Sequence, residues 1–460
     1  MTYRNAPIHP ILRLIYAWLR LTTWAGFSVF YRRRLVLGRE HLRFDGPAII
    51  VSNHPSTLMD PLNVGLNIRQ EMFFLANYGL FKNPISSWIL TRLFCIPVKR
   101  KEDVAEGEAR DNDAAFEASY QHLEKNGVLY IAAEGVSWMD RYVRPFKTGT
   151  ARIAFGAERR NNWQLGVKII PVGLSYDAPN LFRSRMTVEY GAPIDPRLWA
   201  EKDRENHEQA VDNFTEAIRQ RVSALTLDSG SEAGDSFVNQ LEMMLRNARL
   251  DFSESEAYFF LKDFLVKNMG NEDFKTEVAR YSATLEKAGL TDAGVNYQSD
   301  NPKNWGGFLT RAYLFLLIAP FALIGYPFWF LPCWLPSLLC KRLKLYPGYD
   351  SNVKMLAGLF TFPLALWGGW ELAFWIWGSS LWAWVALAVL VFCGYGFEAF
   401  SDIAQIWRER RAARLFQEKQ PRQWEKISAQ RNEIFKEMLA GPYRARLRQM
   451  KAEIKGDPVD

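Results

Sequence analysis

Cysteine and histidine are scarce in this chain of 460 residues, which holds four of the first and five of the second. Cys95, Cys333, Cys340 and Cys393 show neither a disulfide framework nor metal-ligand spacing. Three of them fall in apolar segments, where a thiol packs as a small core residue. The histidines, at positions 9, 41, 54, 122 and 207, stand singly. With no HxxxH pair and no Cys/His cluster, no metal site is expected. Neither Ser56 nor Ser137 lies in a Gly-x-Ser-x-Gly elbow, so neither is read as a hydrolase nucleophile. A cleaved secretory leader is not expected either. The first apolar stretch carries Arg13 and Arg20 and runs into Arg32-Arg33-Arg34, where a leader would have small residues.

Charge and aromatic residues are plentiful. Lys and Arg total 57 against 50 Asp and Glu, a formal net charge of +7, which suits an anionic partner. Aromatics make up 14% of the chain, with 17 Trp, many of them between Trp305 and Trp384. In a single-strand nucleic-acid binder such rings would alternate with Lys and Arg, and here they do not. An indole has one apolar face and one polar tip, so the cluster points to a membrane interface and away from nucleic acid.

Two regions reach membrane length, Ala312–Cys340 and Met355–Phe400. The second divides at Gly378-Ser379-Ser380 into two runs, each long enough to cross a bilayer. The first, interrupted by Pro320, Pro327, Pro332 and Pro336, either crosses once or returns as a re-entrant hairpin, and the hairpin is favoured. That arrangement keeps Lys341, Arg342, Lys344 and the basic tail on the same, cytoplasmic, face as the N-terminal part. The tail carries Arg408, Arg410, Arg411, Arg414, Arg422, Arg444, Arg446, Arg448 and Lys451, either to meet anionic headgroups or as a solvated helix. At the other end, Ile11–Tyr31 reads as a helix lying in the interface, with Arg13 and Arg20 reaching headgroups.

Between these, short apolar runs alternate with helical patterns, the mark of an α/β sheet with helices on its faces. Ala48–Ser52, Glu71–Ala76, Leu129–Ala133, Lys168–Leu174 and Met186–Tyr190 read as strands; Thr57–Ile68, Ile85–Phe94, Asp111–Lys125 and Thr148–Arg159 read as helices. The expected organisation is an interfacial anchor over 1–34, an α/β domain over 35–198 and a helical accessory segment over 199–305. A membrane region over 306–402 and a basic amphipathic tail over 403–460 complete it.

The stretch Ala48-Ile49-Ile50-Val51-Ser52-Asn53-His54-Pro55-Ser56-Thr57-Leu58-Met59-Asp60-Pro61 carries the chemistry. A buried strand stops at His54, in the loop leaving a carboxyl end, where open α/β sheets place ligands. Asp60 followed by Pro61 reads as a helix N-cap with proline at the first helical position. On one continuous helix the two residues would face apart, but Pro55 and Pro61 disfavour such a helix. Asp60 therefore either caps its helix only or, across a turn, meets the imidazole of a general base.

Asn53-His54 with Asp60 resembles the first motif of the glycerolipid acyltransferases, the family that includes lysophosphatidic acid acyltransferases. Ile96-Pro97-Val98-Lys99-Arg100, Ala133-Glu134-Gly135-Val136-Ser137 and Ile169-Ile170-Pro171-Val172-Gly173 resemble its second, third and fourth blocks, in order. Arg144–Ile153, Phe182-Arg183-Ser184-Arg185 and Tyr190-Gly191-Ala192-Pro193-Ile194 are similar to the branch of fungal-type glycerol-3-phosphate and dihydroxyacetone-phosphate acyltransferases. Two features depart from the common pattern. Five residues, not four, separate His54 from Asp60, and Val136-Ser137-Trp138 stands where Thr-Arg-Ser is usual.

The resemblance implies a mixed sheet flanked by helices, followed by a helical segment and C-terminal transmembrane helices. It implies an integral membrane acyltransferase moving a fatty acyl group from a thioester of coenzyme A or acyl carrier protein to glycerol 3-phosphate or a similar acceptor. The thioester is a co-substrate; no cofactor is implied. His54 would be the general base and Asp60 its partner. Glu134 and Gly135 would sit at the acceptor, and Arg100, Arg144 and Lys147 would supply cations for its phosphate, with Arg141 a further candidate. The other readings are a lysophospholipid acyltransferase, a hydrolase using water as acceptor, and a non-catalytic lipid-binding scaffold. Membrane phospholipids are the remaining expected partners, and the sequence does not specify an oligomeric state.

Overall fold

The computed structural model describes residues 9–92, 94–99, 112–248, 252–300 and 305–440. They divide into two compact units: Met1–Glu232 with Leu345–Asn352, and Ala233–Lys344 with Val353–Asp460.

The first unit is built on a sheet. In chain order it contains α1 (Pro10–Phe30), β1 (Arg33–Leu37), β2 (Ala48–Ser52), α2 (Met59–Gly65) and β3 (Met72–Asn77). Then come α3 (Pro84–Arg92), β4 (Cys95–Val98), α4 (Asp113–Glu124), β5 (Val128–Ala132) and α5 (Gly149–Arg160). β6 (Lys168–Tyr176), β7 (Arg185–Tyr190), α6 (Ala200–Glu205) and α7 (His207–Ser223) complete it. The seven strands lie in the order β1-β7-β6-β2-β5-β3-β4, and only the β6–β7 pairing is antiparallel. The sheet is therefore mixed, with helices on its faces.

β2 is central, and every one of its residues is buried. A strand covered on both faces must be apolar throughout, which is why Ala48-Ile49-Ile50-Val51 shows no alternation. β5 and β6 flank it in parallel, with Ser52 level with Ala132 on one side and Val172 on the other. Three carboxyl ends thus open at one edge of the sheet. One face is closed by α4, α5 and α7, where Leu123, Phe155 and Phe214 join Ile49, Val51 and Leu129 in a single core.

Three expectations about this unit are corrected. The α/β unit does not stop at 198: Ala210, Val211, Phe214, Ile218 and Val222 form a helical stripe that α7 buries, so the unit runs to Glu232. It also begins before 35, since β1 starts at Arg33. The arginines of α1 are bonded to the domain, although Arg13 stays exposed. Arg13 pairs with Glu71 at 3.5 Å, and Arg20 donates to the Leu66 and Arg69 carbonyls. Ile11, Leu14, Trp18, Leu21 and Trp24 form one exposed apolar stripe along α1.

The second unit is helical. It contains α8 (Asp235–Asn247), α9 (Glu254–Asn268), α10 (Glu272–Ala288), α11 (Asp292–Asp300) and α12 (Trp305–Leu343). α13 (Asp350–Trp377), α14 (Ser380–Lys419) and α15 (Pro421–Met438) follow. Parts of α12, α13 and α14 make three helices long and apolar enough to cross a membrane. The expected division at Gly378 is present, with φ of 61° ending α13. The expected proline-broken hairpin is not; α12 runs unbroken through all four prolines. Proline removes an N–H and leaves the carbonyl four residues earlier without its helical donor, and in an apolar medium another group must supply one. The Pro332 carbonyl, freed by Pro336, accepts from Thr361 Oγ1 at 3.1 Å. α12 packs antiparallel to α14, Phe315 against Phe400 and Trp407, and Trp329 Nε1 donating to the Leu390 carbonyl at 2.8 Å. A β-carbon at Gly325 would fall 2.3 Å from the Cys393 carbonyl oxygen, so the helices touch backbone to backbone there.

Over its described length the basic tail is helical, and α15 is packed on its neighbours. α15 buries Trp424, Ile427, Ile434 and Met438, and Arg431 Nε donates to Asp292 Oδ1 at 2.8 Å. Tyr281 and Asn247 donate to the same carboxylate, which ties α15 to α8, α10 and α11. Arg444, Arg446, Arg448 and Lys451 lie outside the described residues.

Candidate active site

Asn53 begins the site. Its side-chain amide donates to the Leu174 carbonyl at 2.9 Å and accepts from the Leu174 N–H at 2.8 Å, clamping the end of β2 to β6. The chain then leaves the sheet, and His54 falls in the loop. Its Nδ1 stands 2.9 Å from Asp60 Oδ2.

The two residues meet because Asp60 lies within the first turn of α2 and not at its N-cap. Leu58 occupies the N-cap position, so the expected capping role is not what Asp60 does. Its side chain is fully buried and faces inward. Oδ2 accepts a second hydrogen bond, from the Ser56 N–H at 2.7 Å, and Oδ1 accepts from the Tyr176 hydroxyl at 2.8 Å. A carboxylate can only accept, so the bond to His54 places the ring hydrogen on Nδ1 and the lone pair on Nε2. His54 is mostly covered, its side chain 14% exposed.

Tyr176 and Asn53 were not among the sequence-read site residues. Tyr176 ends β6, beside β2, and burial holds its phenol well above its ordinary range. It therefore stays a donor. Asn63 Nδ2 in turn donates to Tyr176 at 3.3 Å and to Tyr31 at 3.1 Å, which extends the buried polar network behind Asp60. Asn53 was noted only as part of a motif.

Glu134 follows β5, in a turn where Gly135 takes φ of 77°, a conformation that glycine adopts without strain. Its Oε1 accepts the His54 backbone N–H at 3.3 Å, so the two motif residues are in contact. Burial pushes the Glu134 carboxyl up to about 8, against smaller opposing effects of the His54 N–H and Arg144. On the far side of the same turn, the Trp138 N–H donates to the His54 carbonyl at 3.1 Å. Ser137 Oγ accepts the Thr57 N–H at 3.1 Å, a structural task for a serine set aside as a nucleophile.

The cations divide. Arg144 is bidentate to Asp140, at 2.7 and 2.8 Å, and its guanidinium carbon lies 4.2 Å from the centre of the Trp138 ring. Lys147 is exposed, its backbone N–H bonded to the Ala133 carbonyl at 2.8 Å and its side chain against Gly135. Arg141 is buried. Arg100 lies outside the described residues. Of the sequence-read residues, the structure brings together His54, Asp60, Glu134 and Gly135, with Lys147 adjoining and Arg144 engaged by Asp140.

A family model described as Acyltransferase matches residues 33–175. The chain is similar to glycerol-3-phosphate O-acyltransferase 1 of Saccharomyces cerevisiae, 31% identical over 120 residues, 25% of this chain and 16% of that protein. Glycerol-3-phosphate O-acyltransferase 2 of the same yeast is 38% identical over 87 residues, 19% of this chain and 12% of that protein. A chloroplastic 1-acyl-sn-glycerol-3-phosphate acyltransferase of Brassica napus is 26% identical over 153 residues, 33% of this chain and 40% of that protein. The match spans less than half the length of each of these relatives. Among solved structures, a 1-acyl-sn-glycerophosphate acyltransferase of Thermotoga maritima is similar with a TM-score of 0.33 and 20% identity. The match covers 46% of this chain and 82% of that one.

Proposed function

We propose, from the match of residues 33–175 to the acyltransferase family model, that the protein transfers a fatty acyl group from an acyl thioester to a hydroxyl of a phosphorylated glycerol-type acceptor. The observation that carries this reading is the His54–Asp60 pair, 2.9 Å apart at the carboxyl end of the central strand. An alcohol at neutral pH is a poor nucleophile and needs a base as it attacks. His54 Nε2 takes the hydroxyl proton while the oxygen bonds to the thioester carbonyl carbon. The carbon–sulfur bond then breaks, and the imidazolium returns the proton to the leaving thiolate. General-base assistance of this kind is worth about 10²–10⁴-fold. Asp60 holds the tautomer and stabilises the transient imidazolium. The acceptor is itself the nucleophile, so no acyl-enzyme is required.

Lys147, beside Gly135, and Arg100, in the second motif block, are the cations we assign to the acceptor phosphate. Glu134, neutral below about pH 8, is placed to orient an acceptor hydroxyl. The three apolar helices support membrane association. We assign the catalytic unit to the cytoplasmic face: Lys341, Arg342 and Lys344 close α12 just before Leu345, where the chain re-enters that unit, and basic flanks favour that side.

Purified full-length protein in detergent, given labelled acyl thioester with and without glycerol 3-phosphate, tests this. Acceptor-dependent product, lost in H54A, is the expected result. Product only with a lysophospholipid would change the acceptor, thiol release without acceptor would make the protein a hydrolase, and neither would leave a lipid-binding scaffold.

A further inference from the structure

The segment Leu345–Asn352, which links α12 to α13 and forms the first turn of α13, belongs to the same compact unit as the α/β sheet. It is seated on the two residues that follow His54-Pro55. Ser351, fully buried, shares a 3.1 Å hydrogen bond between its hydroxyl and that of Ser56. Asn352 Nδ2 donates to Thr57 Oγ1, which in turn donates to the Gly348 carbonyl at 3.4 Å. Thr57 needs this support, because its φ is 45°. A β-branched residue rarely adopts that conformation, and it persists only where neighbours over-determine it.

The remaining groups of the same two residues face the site. The Ser56 N–H goes to Asp60 Oδ2 and the Thr57 N–H to Ser137 Oγ. Side chains of Ser56 and Thr57 therefore hold the link, while their amides hold the carboxylate that sets the His54 ring and the turn that carries Glu134. We propose that Ser351 and Asn352 are positioning residues for the general base, so that the link between two apolar helices keeps the His54 loop in its working geometry. The inference rests on the His54 reading above. It extends that reading to residues nearly 300 positions away in the chain.

The test uses the full-length protein in detergent and the variants N352A, S351A, T57V and T57S. Loss of geometry at a reacting centre lowers turnover by about 10- to 100-fold, and N352A and T57V should each fall in that range. KM for both substrates should change by less than about twofold, since a group that acts only on the transition state leaves KM alone. T57S keeps the hydroxyl and should recover most of the rate. N352A on a T57V background should cost nothing more, because both break one contact. Hydrogen exchange of peptides covering 53–60 should accelerate in N352A and S351A, with the β2, β5 and β6 amides unchanged. Wild-type turnover and exchange in both single variants would overturn the proposal, as would multiplicative losses in the double variant. If H54A proves as active as wild type, the base assignment falls and the kinetic role of the link falls with it, whereas the exchange result still decides whether the link orders the loop.

Discussion

Asp60 Oδ2 stands 2.9 Å from His54 Nδ1 and 2.7 Å from the Ser56 amide, so one carboxylate oxygen fixes both the ring and the loop that carries it. D60N separates these tasks. An asparagine keeps the shape but cannot stabilise an imidazolium, and its amide can donate to Nδ1 and reverse the tautomer. Turnover should fall by about 10²–10⁴-fold, the range of general-base assistance, with KM little changed. Steady-state kinetics would show it, and a loss below tenfold would remove Asp60 from the mechanism.

Tyr176 supplies the donor to the other oxygen at 2.8 Å, in a setting with no access to bulk water. Y176F deletes that donor and leaves Asp60 Oδ1 buried with one bond fewer. An unsatisfied buried group costs about 1–3 kcal/mol, and more when charged. The thermal midpoint should drop by several degrees, and turnover should fall less than in D60N because the His54 contact survives. An unchanged midpoint would mean that the carboxylate finds another donor.

Glu134 predicts a dependence on pH. Burial raises its carboxyl from 4.5 to about 8, so the folded state favours the protonated acid. The unfolded chain binds fewer protons between those values, and stability falls with rising pH wherever that holds. The stabilisation is complete below about 4.5 and lost as pH climbs through about 8. Thermal midpoints of wild type should therefore decline from pH 6 to 9, and E134Q, which mimics the neutral acid, should flatten that decline. Turnover of wild type should show an alkaline limb near 8 that E134Q lacks. Parallel profiles for the two proteins would rule out Glu134 as the titrating group.

The central part of this architecture was legible because central strands must be apolar on both faces. β2, β5 and β6 were marked by nearly continuous apolar runs, β3 by a half-buried apolar run and β7 by an alternating one. The two strands not read, β1 and β4, are the two edges of the sheet. An edge is paired on one side only, and so accepts Arg33-Arg34 at the start of β1 and Pro97 within β4. α7 was read as part of a polar accessory segment, since a single buried stripe leaves most of a helix charged. In the site, His54, Asp60 and Glu134 were legible from local pattern. Tyr176 was not, since its bond to Asp60 spans 116 positions and depends on β6 lying beside β2. Asn352 was still less so: nothing in the polar first turn of a helix, Asp350-Ser351-Asn352, announces a partner in a catalytic loop.

The acceptor phosphate gives the last prediction. Arg144 was expected to bind it, but its guanidinium lies over Trp138 with Nη1 and Nη2 bidentate to Asp140, so a phosphate would compete with that pair. The Trp138 amide donates to the His54 carbonyl, so Arg144 packs on a residue that is itself bonded to the loop. R144K keeps the charge and loses the fork, because an ammonium cannot reproduce the planar pair of donors. That variant should lose turnover by about three- to tenfold at unchanged acceptor KM, with a lower thermal midpoint, as expected when an interaction made only in the transition state weakens. Lys147 is exposed against the Glu134-Gly135 turn. A hydrogen bond to a charged group contributes about 1.5–3 kcal/mol, so K147A should raise the acceptor KM by roughly 10- to 100-fold at nearly constant kcat. Initial rates against glycerol 3-phosphate concentration distinguish the two variants. A KM effect in R144K alone would return the phosphate to Arg144, at the expense of its pairing with Asp140.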